Sequence, residues 1–141
     1  MKESPRVPLP KVSLPDPGIY LVLKEEGLTR LLKAVYRCLG KSSIRDLFPK
    51  TDKALDLAAE KSALFFIGIC GGPPLFERLY GPPQMRARHQ RFSITSEARE
   101  AWLGCWKEVL FEETNAVGFP QEFRQGFWNY LEAFSVWMVN A

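Results

Sequence analysis

Residues 71–94 read Gly71-Gly72-Pro73-Pro74-Leu75-Phe76-Glu77-Arg78-Leu79-Tyr80-Gly81-Pro82-Pro83-Gln84-Met85-Arg86-Ala87-Arg88-His89-Gln90-Arg91-Phe92-Ser93-Ile94. Gly71 and Gly72 offer left-handed geometry to close the helix before them, and the prolines that follow forbid its continuation. The segment is therefore expected to be irregular. It also holds the only histidine of the chain, His89, among Arg86, Arg88 and Arg91.

Helical patterns stand on both sides of this stretch. Upstream, a helix capped by Thr51 or Asp52 runs to Cys70, with Leu55, Ala58, Ser62, Phe65, Phe66 and Ile69 on one face. The middle of that face is small, so it leaves a gap that a close-packed core would fill or that a neighbouring helix would approach closely. Downstream, Thr95 caps a long helix whose inward positions are Ala98, Ala101, Trp102, Cys105, Trp106, Val109 and Leu110.

Further out, Leu28, Leu31, Leu32, Val35, Tyr36 and Leu39 recur at helical spacing from Gly27, and Gly40 stops them. Ser42 or Ser43 caps a short turn over residues 44–48, closed by Pro49. The last helix opens at Pro120, which suits a first-turn position, and carries Phe123, Phe127, Tyr130, Leu131, Phe134, Trp137 and Met138. No strand pattern or internal repeat intervenes. The expectation is an all-α domain over residues 19–141, with four main helices and short accessory ones. Residues 1–18, which contain Pro5, Pro8, Pro10, Pro15 and Pro17, read as an extended polyproline-like arm that adds little core.

Composition narrows the function classes. A chain of 141 residues is one domain's length and should bury roughly 68–70% of its unfolded surface. No uninterrupted apolar run is long enough to span a bilayer, and no charged-then-apolar signal opens the chain, so a cytoplasmic protein without a membrane span is expected. The net charge of +3 is weak, and the arginines around His89 are interspersed with Glu77, Glu97 and Glu100, which argues against nucleic acid. One histidine cannot build a multi-histidine metal site, and any Ser-His-Asp arrangement would have to run through His89. The odd cysteines Cys38, Cys70 and Cys105 lie among apolar residues and read as small buried hydrophobes in a reducing compartment, not as a disulfide framework or zinc site. No phosphate-binding glycine loop and no Cys-x-x-Cys-His haem attachment site is present.

A single imidazole can still hold a haem iron, provided that burial of the porphyrin in an apolar slot supplies the rest of the affinity. The small-residue face over 55–69 could form part of such a slot, and the arginines near His89 could pair with two propionates. Tyr36 and Trp102 each carry a donor that needs a partner when buried.

Several motifs then occur in order: Gly71-Gly72-Pro73-Pro74, Glu77-Arg78-Leu79-Tyr80-Gly81, Met85-Arg86-Ala87-Arg88-His89-x-x-Phe92-x-Ile94, and Glu97-x-x-x-Ala101-Trp102-Leu103-x-Cys105. Together they resemble a group II truncated haemoglobin over residues 19–135. The resemblance implies a shortened globin fold, two antiparallel helix pairs packed two over two around a non-covalent haem b. It implies His89 as the proximal iron ligand, Tyr36 and Trp102 as distal donors that stabilise the bound ligand, and Phe48 against the porphyrin. Ala58 and Ser62 then face the open side of the iron, with Phe65 one turn on; Met85 and Phe92 belong to the cofactor-binding set, and Lys61 and Arg88 match propionate partners. Pro82 departs from a common histidine, Lys61 from a common arginine, and Ser62 from a larger side chain.

With one histidine, the sixth iron position cannot be closed by a second. The implied function is reversible binding of O2 and other small ligands (NO, CO, cyanide), with NO dioxygenation or peroxidase-like chemistry as enzymatic alternatives that need an unidentified reductase. The competing reading is a small basic helical module that binds nucleic acid or protein without haem. It accounts for the arginines but not for the small-residue stripe.

Overall fold

The structure, a computed structural model, describes residues 9–112 and 117–141. The described residues include, in chain order, α1 (Gly18–Leu39), α2 (Asp52–Ile69), α3 (Leu75–Tyr80), α4 (Met85–Arg88), α5 (Ser96–Lys107) and α6 (Arg124–Met138). No strand occurs among the described residues. The four long helices form two pairs, α1 with α2 and α5 with α6, and α5 also packs on α1.

Local chemistry sets the ends of these helices. Thr51 Oγ1 accepts from Ala54 N at 3.1 Å and opens α2; Thr95 Oγ1 accepts from Ala98 N at 3.0 Å and opens α5. Each such cap satisfies one of the orphan N–H groups of a first turn, a contribution of about 1 kcal/mol. Gly71, at φ +102°, closes α2; a Cβ there would stand 2.6 Å from Pro17 Cβ, so both the backbone geometry and the space demand glycine. Beyond Lys107 the α5 backbone continues as a wider, π-type turn over Glu108–Glu112.

The core lies where the pairs meet. Leu28, Leu31, Leu32 and Val35 of α1 meet Ala59, Ala63 and Ile67 of α2, with Trp106, Val109 and Leu110 from α5 and its extension and Phe127 and Leu131 from α6. Ala59 and Ala63 are small enough for α1 to approach α2 closely, and both are fully buried. On the outer edge of that contact Arg37 makes a two-point ion pair with Asp56 (Nε to Oδ1 3.1 Å, Nη2 to Oδ2 2.8 Å).

Several features differ from the sequence expectations. α1 begins at Gly18, whose N–H donates to Asp16 Oδ1 at 2.8 Å, and not near Gly27. The helix kinks at Lys24, which has left-handed φ +59°, and Gly27 is a packing residue, since a Cβ there would meet Leu23 Cβ at 2.9 Å. The stretch expected to be irregular contains α3 and α4, because Pro74 occupies the cap position of α3, where its missing N–H is no loss. The last α-helix starts at Arg124, after a 3-10 turn over Gln121–Phe123. Residues 9–17 of the proline-rich arm are tied down: Trp137 Nε1 donates to Pro10 O at 2.9 Å, Val12 packs on the core and Pro15 is buried. Residues 1–8 of the arm lie outside the described residues.

The reading of the cysteines is corrected. Cys38 of α1 and Cys105 of α5 form a disulfide with Cα atoms 5.7 Å apart, and Cys70 alone is a free, buried thiol. The partners are 67 residues apart in sequence, so only the packing of α1 against α5 brings them together.

Candidate functional site

α2 has two working faces. Leu55, Ala59, Ala63, Phe66 and Ile67 are buried in the core, while Ala58, Lys61, Ser62 and Phe65 line a cavity of about 810 Å³. The small residues of α2 therefore serve two ends: Ala59 and Ala63 admit α1, while Ala58 and Ser62 open onto the cavity. All eleven residues singled out from the sequence come together on this cavity: Tyr36, Phe48, Ala58, Lys61, Ser62, Phe65, Met85, Arg88, His89, Phe92 and Trp102.

His89 follows α4 directly. Its Nδ1 lies 2.6 Å from Met85 O, the carbonyl one turn earlier, so the ring proton belongs on Nδ1, where it is donated to that carbonyl. Nε2 is left with its lone pair, the form in which imidazole ligates a metal. The loop around His89 is held from the far end of the chain: Asn140 Nδ2 donates to Phe92 O (2.9 Å) and His89 O (3.3 Å), and Asn140 Oδ1 accepts from Ile94 N (2.8 Å).

Tyr36 comes from α1 and meets Phe48 edge to face, ring centroids 5.5 Å apart. Burial pushes its phenol above the ordinary tyrosine range, and a hydrogen bond with the Ser62 hydroxyl offsets part of that rise. The group is a neutral O–H at any physiological pH. Trp102 comes from α5 and packs against Trp106 (5.8 Å) and Phe134 (6.4 Å). Phe65 extends the same aromatic wall through Phe134 (5.7 Å) and Phe76 (6.2 Å).

The cationic residues are held in different ways. Lys61 Nζ lies 4.4 Å above the Tyr80 ring. Arg88 is turned onto the loop before it, with Nε donating to Pro83 O (2.6 Å) and Nη2 to Tyr80 O (2.9 Å) and Pro82 O (3.0 Å).

Sequence reasoning missed Arg99 and Asn140. Arg99 lines the cavity one turn before Trp102, with Nε donating to Ser135 Oγ at 2.9 Å and Nη2 to Glu132 O at 3.0 Å. Its spacing of three from Trp102 on a capped helix was the available signal. For Asn140, far from His89 in the chain, no local pattern exists.

Known proteins resemble this chain in sequence and fold. A profile of the bacterial-like globin family matches residues 25–140. The group 2 truncated hemoglobin YjbI of Bacillus subtilis is 34% identical over 122 residues, covering 86% of this chain and 87% of that protein. Among solved structures, phosphate-bound Hell's gate globin IV superposes with a TM-score of 0.88 at 35% identity, covering 100% of this chain and 86% of that one. The truncated oxygen-avid haemoglobin of Bacillus subtilis gives a TM-score of 0.75 at 33% identity, covering 89% of this chain and 99% of that one. Sequence and fold agree, and the chain belongs to the bacterial-like globin family as a group II truncated haemoglobin.

Proposed function

We propose that this globin holds haem b non-covalently in the 810 Å³ cavity, where His89 Nε2 would be the protein's ligand to the iron. The observation that carries the reading is the His89 ring itself, held by Met85 O on the wall of an apolar cavity with its second nitrogen available. The residues present fit the group: an aromatic and aliphatic slot takes the porphyrin, with Phe48, Phe65, Met85 and Phe92 against it. Lys61 and Arg88 bring positive charge for two propionates. When bound, haem would supply an iron at which O2, NO, CO or cyanide can bind.

The chain's own groups then set how such a ligand is held. The Tyr36 O–H and Trp102 N–H are donors on the cavity wall, and the small side chain of Ala58 leaves room for a ligand beside them. The Ser62 hydroxyl lies beside the Tyr36 phenol and offsets part of the rise that burial gives it. The aromatic wall of Phe48, Phe65 and Phe134 excludes water, which strengthens both hydrogen bonds. Reversible ligand binding is the function these residues serve best. A redox reaction would need an external reductase, since no flavin or nicotinamide motif is present. No described helix is long and apolar enough to cross a membrane, and the cytoplasm is the compartment we infer.

The test is optical. Protein purified and reconstituted with haemin is expected to show a Soret band that His89→Ala shifts or abolishes. No band in the parent, or an unchanged band in His89→Ala, overturns the proposal.

A further inference from the structure

The two helices that bring the donors to the cavity are also joined covalently. Tyr36 stands two residues before Cys38 on α1, and Trp102 stands three residues before Cys105 on α5. At the helical rise these are distances of about 3 Å and 4.5 Å along the respective axes. The disulfide therefore pins α1 to α5 within one turn of both donors. We propose that the Cys38–Cys105 pair is a reversible dithiol–disulfide site, read by a dithiol reductant, and that its state sets the spacing of Tyr36 and Trp102 across the cavity. The second clause rests on the haem-binding reading above; the first does not.

The two sulfurs are unequal. Cys105 is 5% exposed, whereas Cys38 is only half-buried, so Cys38 is the sulfur that an incoming thiolate reaches first. A reductant thiolate attacks Cys38 Sγ, the S–S bond breaks, and Cys105 Sγ departs as a thiolate that takes up a proton. The reductant's second thiolate then attacks the mixed disulfide and releases Cys38 as a thiolate, which is protonated in turn. Two electrons and two protons pass to the protein, and the reductant leaves as its own disulfide. The reduced state has a prepared partner: Glu108 Oε2 lies 3.0 Å from Cys38 Sγ, where a thiol donates to it.

Opening the bond replaces a covalent contact with a van der Waals one, and α1 and α5 can part by on the order of 1 Å. Hydrogen bonds weaken steeply over that range, and placement errors of this size have large effects on bound groups. The oxidised form holds a ligand between the two donors; the reduced form lets go sooner.

The experiment uses the haem-loaded full chain poised with oxidised or reduced glutathione and then with dithiothreitol. Thiols are counted by iodoacetamide labelling in denaturant and mass spectrometry. The expected result is one labelled thiol after oxidation and three after reduction, with O2 dissociation at least about threefold faster in the reduced form. Cys38→Ser and Cys105→Ser variants should dissociate O2 at the reduced rate whatever the poise, and Cys70→Ser should retain the difference. Three labelled thiols after oxidation, or equal dissociation rates in the two states, overturns the proposal. A missing Soret band would instead defeat the haem reading, while the thiol count would still decide the redox site.

Discussion

Reducing the Cys38–Cys105 bond should lower the melting temperature by an amount that follows from its place in the chain. The bridge closes a loop of 67 residues. With a closure entropy of about −2.1 − 1.5R ln n cal/mol/K, such a loop restricts the unfolded chain by roughly 4.4 kcal/mol at 25 °C, and measured bridges commonly deliver 2–4 kcal/mol. The unfolding entropy of a chain of 141 residues is about 300 cal/mol/K, so each kcal/mol moves the midpoint by roughly 3 °C. The expected loss is therefore about 7–15 °C. Differential scanning calorimetry of oxidised and phosphine-reduced protein, at equal haem content because bound haem adds its own stabilisation, measures it. A shift of less than about 2 °C would refute the reasoning, because it would mean that the bridge does not restrain the unfolded chain.

Other outcomes can be checked in parallel. Tyr36→Phe and Trp102→Phe should each speed O2 dissociation about tenfold or more, the equivalent of one hydrogen bond of roughly 1.5–3 kcal/mol, as read by stopped-flow displacement. Asn140→Ala should leave those rates unchanged but accelerate haem loss to an apo-acceptor about fivefold or more, because it frees the backbone around His89. Cys70 has its thiol pushed up by burial to about 12. The folded chain thus keeps a proton that the unfolded chain gives up from the ordinary thiol range onward. Stability should be complete below about pH 9 and fall as pH rises toward 12, with buried Tyr36 and Tyr130 adding to the fall above about pH 10. Denaturation midpoints measured across that range give the sign. Native Cys70 should also resist alkylation at pH 8.5.

The sequence made the cavity legible because its makers lie on regular spacings. Ala58, Lys61, Ser62 and Phe65 share one face of α2, and a helix with so small a middle has either a close neighbour or a space beside it. His89 stood out by being single. The long helices were legible from Thr51, Thr95 and the apolar periodicity. What escaped depends on pairs far apart in the chain. Cys38 and Cys105 look like core residues one at a time; only the docking of α1 on α5 makes them a bond. Asn140 acts on backbone groups 48 and 51 residues away, and no local pattern carries that information. Lys24 escaped for the opposite reason, since a lysine gives no hint of a left-handed φ within an otherwise helical run.

The grip of Arg88 on the Tyr80, Pro82 and Pro83 carbonyls has a consequence for anyone who exchanges parts between such proteins. Pro82 and Pro83 have no N–H, so this loop can make few backbone bonds of its own. The guanidinium of the next helix lends it donors in a fixed planar fork. Loop and arginine form one transferable unit: moving the double proline without Arg88 carries over a shape with nothing to hold it. Lysine at position 88 would not replace it, because one compact ammonium cannot reproduce the fork.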